Sequence, residues 1–245
     1  MSQSKIYIYG KHAVAGAIKH APRAVRKVYL ARGFDDGRLR NNIHAAQVPT
    51  EELDKRKVSS MAEGGAPHQG IIALLSLDSL VTPADTFLGE LAAGPETLLV
   101  LLNEVQDPHN VGAIIRSCAA FGAAGVLLPT RKQSPITGSV IKASAGTAFA
   151  IPLIAVENMQ QTIAQLKKKG FRVHGLAAGG GRKLSDERFD APTLLVLGNE
   201  AQGITPAARA LCDDTLSIPM QGGTESLNVA ASAAVALYAW SLKKK

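Results

Sequence analysis

The sequence predicts an α/β protein in two parts: a small N-terminal α/β unit, and a larger, mostly parallel sheet covered by helices. Three observations carry this reading. Strand-like and helix-like stretches alternate along the chain, the pattern of a parallel sheet with crossover helices. Leu98 to Leu102 and Leu194 to Leu197 are unbroken apolar runs, as strands buried on both faces require. Between the parts, residues 77–95 carry Pro83, Gly89, Gly94 and Pro95 without a strong period, which reads as a flexible linker holding about one turn of helix.

In chain order, residues 6–76 give a strand IYIYG, a helix from His12 to His20 and a strand VRKVYLA. A helix from Gly37 to Gln47, a charged helix from Glu51 to Ala62 and the apolar strand GIIALLS follow. Beyond the linker, strands are expected near 98–102, 124–128, 149–154, 171–177, 193–197 and 214–218. Helices near 111–122, 136–144, 157–169, 206–211 and 225–242 alternate with them.

Three polar corners follow three of these strands. After the first, Asp107 and Pro108 break the apolar run. Asn110 then stands where an N-cap belongs, ahead of Val111, Ile114, Ile115, Cys118 and Phe121 at helical spacing. Arg116 lies six residues further on and can reach forward over the strand ends. After the second, Gly198, Asn199 and Glu200 leave the strand directly, and a glycine there lets a ligand approach the backbone. After the third, Pro219 ends the strand and a Gly222–Gly223 loop follows. Thr224 to Ser226 then open an alanine-rich helix expected to pack through Val229, Val235 and Leu237. Each corner alone also reads as an ordinary capped turn. Together they predict a site at one sheet edge.

Composition narrows the class. With 245 residues and 46% hydrophobic content the chain can build ordinary cores, and at 4% aromatic these must be aliphatic. The N-terminus lacks an apolar run of signal-peptide type, and the apolar stretch from Leu227 to Leu242 is interrupted by Ser232, so it reads as a buried helix, not a membrane span. Cys118 and Cys212, the only cysteines, have neither metal-ligand nor redox spacing, which fits a reducing cytoplasm. Residues 1–76 hold 12 Lys and Arg against 6 Asp and Glu, while the remaining 169 hold 15 against 14. A basic module beside a nearly neutral one suggests a polyanion-binding part and a chemical part; a plain basic surface has the same composition.

Other motifs fail on context. Gly179–Gly180–Gly181 lacks a phosphate-loop pattern, and without one a nucleotide hydrolase is excluded. Ser139 to Lys142 fits Ser-x-x-Lys without the companion motifs. Histidines 12, 20, 44, 68, 109 and 174 show no ligand spacing, and His109 reads as a loop residue. Lys243 to Lys245 form a solvated tail.

Asn-x-Gly with an Arg four beyond the Gly, then Gly-Asn-Glu-x-x-Gly, then Ser-Leu-Asn-Val-Ala resemble in order the three motifs of the SpoU (TrmH-like) ribose 2′-O-methyltransferases of the SPOUT class, over about residues 96–242. GKHAVAGAI and HQGI at His68 to Ile71 resemble the substrate-binding domain of its ribosomal-RNA branch. The resemblance implies a knotted methyltransferase domain over 96–245, its trefoil knot an exception to the rule against knots. It implies an RNA-binding domain like a small ribosomal protein over 1–76, closing over the site through a linker at 77–95, and a homodimer with the site at the interface. The implied cofactor is S-adenosylmethionine, gripped by the main chain at Gly198, Ile218 and Leu227, with Met220 and Thr147 nearby. No metal and no membrane are involved. The implied substrate is 23S ribosomal RNA, at a guanosine of the peptidyl-transferase region; a tRNA 2′-O-methyltransferase or a non-catalytic RNA-binding protein of the same fold are the other readings. Arg116, Asn110, Glu200, Ser226 and Asn228 form the implied catalytic set. Arg116 serves as phosphate clamp or as literal base, and Asn110 orients Arg116 or the ribose. Glu200 holds Arg116 or a backbone amide, while Ser226 and Asn228 position the nucleotide. Lys11, His12, Arg23, Arg26, Lys27, Arg38 and Arg40 are the candidates for RNA contact.

Overall fold

The computed structural model describes residues 5–54, 56, 58–61, 67–179, 181–222 and 224–243. The N-terminal unit consists of β1 (Lys5–Tyr9), α1 (Lys11–His20), β2 (Val25–Leu30), α2 (Gly37–Ala45), β3 (Thr50–Glu52), α3 (Val58–Met61) and β4 (Ile71–Ser76). Its sheet has the order β1-β4-β2-β3, with β4 antiparallel to both neighbours and β3 parallel to β2. The expected charged helix from Glu51 to Ala62 is therefore corrected. Glu51 and Glu52 belong to an exposed edge strand, fastened by Lys27 Nζ to Glu51 at 2.9 Å and Arg32 Nε to Glu52 at 2.6 Å. Among the described residues of this stretch α-helix covers Val58–Met61, and Ala62 lies outside them. Charge on an edge strand also blocks pairing with other chains.

The larger unit follows as β5 (Val81–Pro83), α4 (Ala84–Glu90), β6 (Leu98–Leu102), α5 (Pro108–Phe121), β7 (Gly125–Pro129), α6 (Gly138–Ala143), β8 (Leu153–Val156), α7 (Met159–Lys168), β9 (Arg172–Leu176), β10 (Arg182–Lys183), β11 (Thr193–Leu197), α8 (Pro206–Arg209), β12 (Asp214–Ser217) and α9 (Val229–Ser241). Its eight strands are all parallel, in the order β10-β12-β9-β11-β6-β7-β8-β5. Every residue of β6 and β11 is buried. Leu98, Val100 and Leu102 face one core with α5 and α9, while Leu99 and Leu101 face a second with α4 and α7. Two covered faces explain why these strands are apolar at every position.

Several expected boundaries move. The segment read as a linker contributes β5, which pairs with β8, and the two-turn helix α4, whose Ala84 and Leu88 are buried. β8 begins at Leu153, because Thr147–Phe149 form a 3-10 turn. Helix α9 begins at Val229, leaving Ser226 and Leu227 in the loop before it, and Val235 is exposed while Leu237 is buried.

The two units touch closely. β1 lies against α6 at Gly138, where a Cβ would overlap the Tyr7 carbonyl, and Lys142 Nζ stands 5.1 Å over the Tyr9 ring. At the far end of the large sheet, His174 of β9 lies buried between Glu187 and Asp214, their donor atoms within 4.8 Å of one another. Sequence spacing gave no sign of this company. Arg182 already donates to both carboxylates, so they serve as an ion network between β10, β12 and the turn at Glu187.

Candidate active site

The three corners meet. Asn110 Nδ2 donates to Glu200 Oε1 at 3.0 Å, and Asn228 Nδ2 donates to Asn110 Oδ1 at 3.0 Å. One hydrogen-bonded chain thus joins residues 90 and 118 positions apart. The expected capping role of Asn110 is corrected: Asp107 is the N-cap of α5, its carboxylate accepting from His109 N at 2.8 Å, with Pro108 at the first helical position. That leaves the side chain of Asn110, itself buried, to hold Glu200. Asn228 makes two kinds of contact. Its Oδ1 caps α9 at Ala230 N and Ala231 N, while its Nδ2 reaches Asn110.

Glu200 also accepts from Gln106 N at 3.4 Å and Asp107 N at 3.2 Å. Of the two roles considered, the bonds within the chain are those to backbone amides. Partial burial pushes the Glu200 carboxyl up. Hydrogen bonds from Asn110 and the amides of Glu200, Asp107 and Gln106 outweigh this and hold it below its ordinary 4.5. A folded-state value below the unfolded one means a stabilisation present above 4.5 and lost as pH falls through the depressed value. Urea unfolding from about pH 6 to about pH 3 is expected to show this acid-side loss in the native chain and a smaller one in Glu200→Gln.

Beside the chain opens a cavity of 300 Å³ lined by Ala177, Gly198, Glu200, Ile218, Met220, Ser226 and Leu227 among others. Gly198 has no room for a side chain, since a Cβ there would overlap Gly203 C and Ile204 N. The Asn199–Gly203 hairpin folds back on it, with Asn199 N donating to Gly203 O at 2.8 Å and the reverse bond at 2.9 Å. The lining is mostly loop backbone and apolar side chain, suited to a neutral planar group recognised by main-chain donors and acceptors.

Two expected residues are not brought there. Thr147 sits in the 3-10 turn after α6, its hydroxyl donating to Ser144 O at 2.8 Å, away from the cavity lining. Arg116 is exposed on α5 and makes no hydrogen bond or ion pair among the described residues. Six residues from Asn110 is about 9 Å along a helix, which keeps Arg116 apart from Glu200. Gly112 of the first motif is a packing residue, a Cβ there lying 2.5 Å from Ala143 Cβ on α6. Cys118 is fully buried, and burial pushes its thiol up, which removes it as a nucleophile. Asn199, whose Nδ2 donates to Glu104 O at 2.9 Å, and Gln133 were not picked out as site residues from the sequence. Their partners lie on distant loops; Asn199 stands in the Gly-Asn-Glu-x-x-Gly corner, whereas no local spacing marks Gln133.

In the N-terminal unit, Lys11, His12 and Arg38 line one cleft between α1 and α2, together with Lys19, which the sequence reading omitted. Lys11 is also paired with Asp35 at 3.5 Å and Asp36 at 3.8 Å. Lys27 is held by Glu51, and Arg40 donates twice to Phe34 O at 3.0 and 2.8 Å. His12, Arg23, Arg26 and Arg38 are exposed.

A parallel sheet with this corner triad defines a class, and comparison with known families gives the same one. Residues 97–238 match the SpoU rRNA methylase family, and residues 7–79 match the family described as RNA 2′-O ribose methyltransferase substrate binding. The chain belongs to the SpoU rRNA methylase family. Among its relatives, the 23S rRNA (guanosine-2′-O-)-methyltransferase RlmB of Pseudomonas syringae is 35% identical, over 94% of this chain and 93% of the relative. RlmB of Ralstonia nicotianae is 34% identical over 97% and 95%. In fold, the chain is similar to the SpoU methyltransferase AviRb from Streptomyces viridochromogenes, solved in complex with AdoMet. Its TM-score is 0.80 at 24% identity, covering 98% of this chain and 90% of that one.

Proposed function

We propose that this chain transfers a methyl group from S-adenosylmethionine to a ribose 2′-hydroxyl of 23S ribosomal RNA, at a guanosine of the peptidyl-transferase region. The observation that carries the reading is the Asn110–Glu200–Asn228 chain closing beside the Gly198–Ile218–Leu227 cavity. The residues fit the cofactor: backbone at 198, 218 and 227 suits a purine, Met220 gives apolar contact, and Glu200 at the rim gives one negative charge. Bound there, the cofactor supplies a methyl on a positively charged sulfur.

The protein's part is alignment and control of a proton. Asn110 and Asn228 fix the edge where the ribose lies, and Ser226 at the cavity lining positions the nucleotide. Placement of reacting atoms at roughly 3–3.5 Å lowers the barrier by several kcal/mol. Arg116 clamps the adjacent phosphate and polarises the hydroxyl; a guanidinium carries donors and no acceptor, which suits this better than acting as a base.

Arg116 does this in trans, in a homodimer. It stands exposed on α5, the helix packed against α9, and α9 presents Val235, Tyr238 and Leu242 at 40, 54 and 63% exposure along one face. Two copies joined on that face bury the stripe and carry each Arg116 toward the partner's cavity. Residues 1–76 act as the substrate-binding domain, ribosomal-protein-like in fold, with Lys11, His12, Lys19 and Arg38 tracking phosphates. Residues 77–95 act as the linker between it and 96–245, with β5 and α4 anchored on the larger unit. β12 beyond β9, followed by the return of Met220, Ser226 and Leu227 to the cavity beside 198–204, supports the trefoil knot in the domain over 96–245. The protein works in the cytoplasm; no helix among the described residues is long and apolar enough to cross a membrane.

The test is incubation with labelled S-adenosylmethionine and undermodified 23S ribosomal RNA, with the modified ribose then mapped. Label on one guanosine 2′-oxygen is the expected result. Label on tRNA alone overturns the substrate.

A further inference from the structure

The loop between β6 and α5 carries the amides that hold Glu200, and it is not relaxed backbone. Glu104 lies at φ 62°, in the left-handed region that non-glycine residues rarely occupy. Three side chains from elsewhere hold it. Asn199 takes Glu104 O, Lys132 Nζ stands 3.7 Å from the Glu104 carboxylate, and Gln133 makes a double bond pattern with a single residue. Gln133 Oε1 accepts from Val105 N at 3.0 Å, and Gln133 Nε2 donates to Val105 O at 2.7 Å. The primary amide thereby imitates a neighbouring strand. It fixes Val105 immediately before Gln106 and Asp107, whose N–H groups meet Glu200.

We propose that Gln133 is a positioning residue for methyl transfer: it holds the 104–107 loop so that its amides, Glu200 and Asn110 stay in one register. It touches neither the cofactor cavity nor the corner triad, so its effect passes entirely through the loop. Of its neighbours, Ser134 N shares the Val105 carbonyl at 3.1 Å, and this single bond leaves Val105 N unpaired when the amide is removed. A donor and an acceptor at matched distance are required, and an apolar side chain of equal length provides neither.

The proposal rests on the methyltransferase reading, and its test separates the two. Gln133→Met keeps length and packing; Gln133→Ala removes both. With S-adenosylmethionine and RNA, both variants are expected to lose about tenfold or more in single-turnover rate, with cofactor Kd within about threefold of the parent. The acid limb of their pH–rate profile shifts upward, because Glu200 loses the hydrogen bonds that keep it ionised. In the protein without substrate, amide exchange at Gln106 and Asp107 speeds up in both variants. A Gln133→Met protein with parental rate, acid limb and exchange overturns the proposal, as does a loss confined to cofactor affinity. The exchange arm needs no RNA. A parent that methylates nothing overturns the methyltransferase reading and the role in transfer with it, while faster exchange in the variants still shows that Gln133 holds the loop.

Discussion

Gly198→Ala is expected to abolish measurable cofactor binding while leaving the sheet folded. A single methyl at 198 falls on the backbone of Gly203 and Ile204, and main chain cannot rotate away as a side-chain tip can. Either the Asn199–Gly203 hairpin opens or β11, itself fully buried, shifts against β6 and β9, with which it is paired along its whole length. The hairpin is the softer of the two. Its opening withdraws the 199–204 wall from the cavity and displaces Glu200 from Asn110. Overpacking of this kind costs about 1–3 kcal/mol, a drop of a few degrees in Tm for a chain of this size. Loss of main-chain contacts to the purine should cost about a hundredfold or more in Kd. Calorimetric titration with S-adenosylmethionine beside a thermal melt checks both; parental affinity in Gly198→Ala would place the cofactor elsewhere.

Arg116→Ala should leave cofactor affinity intact and lower transfer by about 10²–10³, the loss typical when one charge-stabilising donor is removed from a reacting centre. The subunit question is decided by mixing. Arg116→Ala and Gly198→Ala are each expected to be inactive, yet co-refolded chains should regain activity, because a mixed dimer has one site with an intact pocket and an intact arginine from the other copy. A mixture as inactive as its components would put Arg116 and the cavity in one subunit.

The apolar runs of β6 and β11 were legible because burial on two faces leaves no position for a polar residue, and each stood where expected. The short strands β3, β5 and β10 were not. Two or three residues give no period, and pairing with β2, β8 and β12 decides them. The stretch 51–62 shows the same limit. Its charges suit a helix surface as well as an edge strand, and only Lys27 and Arg32 across the gap choose.

At the site, the sequence by itself determined where three polar corners follow strands; that Asn110, Glu200 and Asn228 act as one set is an expectation from the resemblance of those corners to the SpoU motifs. The tertiary structure alone decided how they connect. Asp107 caps α5 and releases Asn110 to bind Glu200, Gln133 and Asn199 fix a loop from opposite sides, Thr147 falls away from the cavity, and Arg116 faces outward. The physical reason is directional. A hydrogen bond needs its partner within about 3 Å and in line, and partners some ninety positions apart, such as Asn110 and Glu200, leave no trace in local pattern until the sheet brings their loops to one edge.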